Sequence, residues 1–121
     1  MKTIYPASGR VSIWIGIFDS EDDFDSEIDS IITPALGLPC DIAEICEMTF
    51  EPESVPVQQL LTGFSGDASF MTKAVKAATE SDWGFANSAL VCYHLDVQDS
   101  PVPSFGRFRF LGSFSGTDIV T

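Results

Sequence analysis

Positive charge is what this chain lacks most. No Lys or Arg occurs from Val11 through Thr72, and six cations in 121 residues face eighteen Asp and Glu, a formal net charge of −12. A field this negative repels the phosphates of nucleic acid and of anionic lipid. Nucleic acid and the membrane surface are therefore excluded as expected partners. Cysteine is also scarce. Cys40, Cys46 and Cys92 are an odd number without the dense framework of a small secreted scaffold. That usage suits a reducing cytosol, so the expected location is cytoplasmic. No apolar run approaches the ~18 residues that span a bilayer. Near the N-terminus Pro6, Ser8 and Arg10 interrupt any signal-peptide core. Histidine occurs once, as His94. With no second candidate base near it in sequence, acid–base catalysis of the familiar kinds has little to work with. No enzymatic activity, metal or cofactor is expected.

Apolar residues are not lacking. They make up 45% of the chain, with ten Phe and two Trp, whereas disordered acidic chains cannot offset their ordering entropy by burial. The length fits one domain over residues 1–121, and a chain of this size buries about two-thirds of its unfolded surface.

The periodicities give the elements. Val11 to Phe18 (VSIWIGIF) is β-branched and aromatic, with Val11, Ile13, Ile15 and Ile17 on one face and Trp14 and Phe18 on the other. Apolar residues on both faces mark a central strand, and Trp14 reads as core more readily than as an interface anchor. Ser20 then caps a helix whose first turn holds Glu21, Asp22 and Asp23, where the helix dipole favours negative charge. Phe24, Ile28 and Ile31 or Ile32 give it one apolar stripe, and Pro34 and Gly37 end it. Glu44 to Phe50 alternates as an exposed-edge strand would, and Pro52 and Pro56 bracket a turn. Val57, Leu60, Leu61 and Phe64 form a short helix stopped by Gly63 and Gly66. Asp67 caps the next, where Met71, Ala74, Val75 and Ala78 share a face. Ala89 to Val97 and Arg107 to Phe114 alternate as strands, and a loop of about ten residues between them predicts an antiparallel pair. The order is β-α-β-α-α-β-β. It predicts an α+β fold, a mainly antiparallel sheet of about four strands with helices packed on it.

Several candidate motifs fail on their spacing. An EF-hand loop counted from Asp19 would place Phe24 where glycine is needed and Ser30 where glutamate is needed. Gly63-Phe64-Ser65-Gly66-Asp67 lacks the final glycine of a hydrolase elbow, and Gly112 to Gly116 has Phe114 at its centre. Cys92 and His94 share a strand face, but a structural zinc site needs four ligands from spaced pairs. Arg107 and Arg109 are expected to neutralise acidic surface or to pair with Asp96 across the last hairpin.

The acids are clustered. Twelve of the eighteen lie between Asp19 and Glu53, whereas a surface made acidic for solubility alone needs a net charge of only about 2–8. The expected partner is a protein with a basic face. The VSIWIGIF strand with Trp14 and Gly16, the Ser20 to Phe24 acidic helix start, EMTFEP at Glu47 to Pro52, FANSALVCYHLD at Phe85 to Asp96 and FRFLGSFSG at Phe108 to Gly116 together resemble the immunity protein 22 family of bacterial polymorphic-toxin systems. The stretch between Ile32 and Ile42 departs from that family in being shorter. The resemblance implies an α+β immunity protein that binds and neutralises a cognate toxin, often a nuclease. The toxin-facing residues are then expected among Asp19, Glu21, Asp22, Asp23, Glu47, Glu51 and Glu53. The rival expectation is a small ligand-binding domain or enzyme whose acids serve solubility only.

Overall fold

A computed structural model describes residues 4–32, 46–64, 67–97, 104–105 and 108–115. Its centre is β1 (Ile4–Gly16), flanked by β3 (Phe85–Val97) on one side and β5 (Phe108–Ser115) on the other. Beyond β3 lies β2 (Cys46–Pro56), and beyond β5 the two-residue β4 (Ser104–Phe105). The sheet order is β2-β3-β1-β5-β4, with every pair antiparallel. Four long antiparallel strands carrying helices are the expected α+β fold.

One expected pairing is wrong. β3 and β5 are not neighbours, because β1 runs between them. A strand apolar on both faces is most stable with a partner on each edge and cover above and below. A hairpin of the last two strands would have left one edge of β1 unpaired. Arg109 therefore cannot meet Asp96 across a hairpin; it stands opposite Ile15 on β1. Arg107 lies outside the described residues.

The helices divide between the two faces. On one, Val11, Ile13 and Ile15 of β1 join Ala89, Val91 and Tyr93 of β3. Over them pack Val57, Leu60 and Leu61 of α2 (Val57–Leu61), Phe64, and Phe70, Ala74 and Ala78 of α3 (Asp67–Glu80). The alanines let the α3 backbone approach the strands, and Phe70 fills the space in front of them. Met71 and Val75 sit half-buried at the border of this core. The side chain of Asp67, expected to cap α3, lies outside the described residues.

An aromatic layer covers the other face. Trp14, fully buried, lies 5.0 Å from Phe110, and Phe18, Phe24 and Phe108 contact one another at 5.0–5.7 Å between ring centroids. Phe24 belongs to α1 (Glu21–Glu27), which continues as a π-helical turn over Ile28–Ile32. Seven residues are too few for a helix to persist in water. What holds α1 is the burial of Phe24 and Ile28, about 1.5–3 kcal/mol each.

Strand boundaries differ from expectation, and β3 begins at Phe85 rather than Ala89. β1 begins at Ile4 and ends at Gly16. β2 continues to Pro56, through Pro52, where a turn was expected. A register shift between Phe50 and Val55 accommodates this, since Pro is tolerated at an edge or bulge where no ladder bond is demanded of its nitrogen. A second irregularity lies where Ile13 faces Gly112 and Trp14 faces Phe110, leaving Leu111 as the extra residue of β5. Gly112 has φ +147 there.

The cysteines also behave otherwise than their number suggested. Cys46 and Cys92 stand directly opposite on β2 and β3 and are joined as a disulfide. Counting thiols is a compositional argument, whereas pairing is decided by strand register. Cys40 lies outside the described residues.

Candidate interaction surface

The acidic start of α1 is fixed from three sides. Ser20, in extended backbone, accepts the Asp23 N–H on its Oγ at 3.2 Å, and its carbonyl takes the Phe24 N–H. Phe24 points inward into the aromatic layer. Behind the turn, Asn87 of β3 clamps Phe18. Its Oδ1 accepts the Phe18 N–H at 2.9 Å and its Nδ2 donates to the Phe18 carbonyl at 2.7 Å. Next to it, Ser88 Oγ donates to the carbonyl of Gly16 at 2.9 Å. The backbone leaving β1 thus has its polar groups met by β3 side chains as the ladder ends, which a buried segment requires. Asp19, Glu21, Asp22, Asp23 and Asp25 are left facing solvent.

The seven expected contact residues fall into two groups. Asp19, Glu21, Asp22 and Asp23 form one exposed patch around the N-terminus of α1. Glu47, Glu51 and Glu53 lie on β2, at the edge of the sheet, with Glu51 and Glu53 exposed. Phe24 and Phe50, 6.0 Å apart, bring α1 beside β2. Glu47 differs from the others. It is half-buried and accepts the Tyr93 hydroxyl at 2.5 Å, so it also ties β2 to β3. Glu47 and Glu51 border a groove of about 250 Å³ whose opposite wall is Gln59, Leu60, Thr62 and Gly63.

A second cavity, about 350 Å³, opens at the end of the sheet. Ile15, Gly16, Ile17, Trp83, Phe85 and Ala86 wall it, and Asp82 and Arg109 stand at its border. The Arg109 guanidinium lies 5.4 Å over the Trp83 ring. Ile17 and Phe85 are 59% and 63% exposed, much for large apolar side chains. Nothing in the sequence marks Asp82, Trp83, Phe85 or Asn87 as functional. The pattern Gly84-Phe85-Ala86-Asn87 carries no motif, and their roles depend on contacts with residues far away in the chain.

Among the described residues no three His, Cys, Asp or Glu converge as metal ligands, and the Cys92 sulfur is bonded to Cys46. No described helix is long and apolar enough to cross a membrane. No family model, curated protein or solved structure matches this chain. The likeness to the immunity protein 22 family rests on the short motifs named above.

Proposed function

We propose that this protein is an immunity protein that binds a cognate bacterial toxin and occludes its active face. The observation that carries the reading is the patch formed by Asp19, Glu21, Asp22 and Asp23. Glu21, Asp22 and Asp23 open a short helix and Asp19 precedes its cap, and a capped, clamped and wedged turn fixes them to the sheet. A nuclease must hold phosphate, so the face it presents is basic. A preorganised acidic surface speeds encounter with such a face and rejects wrong partners. Glu51 and Glu53 extend the same sign along the neighbouring edge strand. The protein performs no chemistry in this scheme, and its place of action is the cytoplasm because a nuclease would find its substrate there; cysteine usage no longer argues for a reducing compartment once Cys46 and Cys92 are joined.

The test is inhibition. A basic nuclease domain found encoded next to this protein is expected to lose its activity when an equimolar amount of the protein is added. Undiminished activity with the protein in excess over both the toxin and any plausible Kd would sink the proposal. The second reading, a ligand-binding domain, is favoured by one observation, the cavity at the end of the sheet.

A further inference from the structure

The cavity beside Trp83 presents charges of both signs on an otherwise apolar site. Its volume of about 350 Å³ is at the low end of ligand cavities, which run to about 300–1,000 Å³. It has room for a compact molecule and none for a dinucleotide. Its walls are aliphatic and aromatic, and Ile17 and Phe85 leave apolar surface at the mouth in water.

Asp82 occupies a position that glycine fills more readily. It follows α3 with φ +59, the left-handed conformation, and the Trp83 N–H reaches back to the Ala78 carbonyl at 2.8 Å. This is the helix ending in which glycine is strongly favoured. A carboxylate there also faces the negative end of the helix dipole. Relative to glycine, Asp82 is thus disfavoured by its charge and, more mildly, by a backbone conformation that Asp tolerates better than most residues. Residues kept in such conformations concentrate at functional sites. The nearby cation does not compensate it. The Arg109 guanidinium lies 5.4 Å over the Trp83 ring, and no ion pair joins it to another described residue. Its N–H edge remains available to an oxygen acceptor.

We propose that this cavity binds a hydrophobic α-amino acid. The ligand carboxylate meets Arg109, its ammonium meets Asp82, and its side chain lies among Ile17, Trp83 and Phe85. A zwitterion fits better than a simple acid for a further reason. A net charge of −12 opposes any free anion approaching Arg109, whereas a ligand of zero net charge meets no such barrier. The proposal is independent of the toxin reading.

The experiment is a titration followed by tryptophan fluorescence and by amide NMR shifts at Trp83 to Ala86. The probes are L-phenylalanine, L-leucine, N-acetyl-L-phenylalanine, L-phenylalanine amide and the doubly capped N-acetyl-L-phenylalanine amide. The free amino acids are expected to saturate. Removing either charge should weaken binding by about tenfold or more, as loss of a charge-assisted hydrogen bond does. Asp82→Gly should abolish the response while raising the melting temperature, the trade expected of a strained functional residue. Asp82→Asn, which tolerates the same backbone, should weaken binding by about tenfold or more, and Arg109→Gln likewise. Equal binding of all five probes would overturn the proposal by reducing the site to an apolar groove. Tightest binding of the doubly capped probe would overturn it in favour of a polypeptide segment. No saturation by any probe at tens of millimolar, or saturation undisturbed in both Asp82 variants, would overturn it outright.

Discussion

Replacing Asn87 by alanine removes the two hydrogen bonds that turn the chain from β1 into the acidic helix. Asn87 is 3% exposed, and it meets the Phe18 N–H at 2.9 Å and the Phe18 carbonyl at 2.7 Å. Alanine satisfies neither. A buried polar group left without a partner costs about 1–3 kcal/mol. With some relaxation toward water, the pair together should cost about 2–4 kcal/mol, a large part of the roughly 5–15 kcal/mol that holds a domain folded. Urea unfolding reads this directly. With a slope of about 1–3 kcal/mol per molar, the midpoint should fall by roughly 1–2 M. Asn87→Asp is an informative companion. It keeps an acceptor for the Phe18 N–H, yet turns an oxygen toward the Phe18 carbonyl and buries a charge, so it should be no better than alanine. The Phe18 amide should also lose its protection from hydrogen exchange in the alanine variant, where no acceptor is left for it. A loss below about 0.5 kcal/mol, the range of ordinary surface substitutions, would refute the clamp.

Two further outcomes follow from the covalent and steric features of the sheet. The disulfide between Cys46 and Cys92 joins residues 46 apart in sequence, for which chain entropy gives an upper bound of about 4 kcal/mol. Dithiothreitol should therefore lower the unfolding free energy by roughly 2–4 kcal/mol. Thiol titration of the denatured, unreduced protein should find Cys40 alone; three reactive thiols and no effect of reductant would contradict the pairing. Gly112→Ala puts a methyl group 2.9 Å from Phe114 Cζ at a backbone angle of φ +147. It should destabilise the β5 bulge by about 1–3 kcal/mol in a thermal melt, and an unchanged melting temperature would show that the bulge is not constrained as described.

What was legible in the sequence is local, and what was not depends on distance. The Ser20 cap, the acidic first turn and the Phe24–Ile28 stripe are all written within nine residues, and the structure has them where the spacing put them. The two apolar faces of β1 likewise announced a central strand with Trp14 in the core. Sheet order is another matter. Alternation in β3 and β5 is equally compatible with pairing to each other or to β1, and only the burial of β1 on both edges decides between them. The course of β2 through Pro52 was hidden because proline is a turn signal unless a strand lies at an edge. Asn87 reads as an ordinary polar residue in a strand until Phe18 is seen against it. The candidate surface was half legible. Asp19, Glu21, Asp22 and Asp23 were marked by their place on a helix start, while Glu47 turned out to share its carboxylate with Tyr93.

Whether the acids at the start of α1 steer a basic partner is decided by one kinetic comparison. Glu21, Asp22 and Asp23 are replaced together by Ser or Asn, and association with the cognate toxin domain is followed by stopped flow over a range of ionic strength. The expected result is an on-rate lower by about tenfold at low salt and a shallower salt dependence, with dissociation little changed. An on-rate and a salt slope equal to those of the parent protein would contradict it.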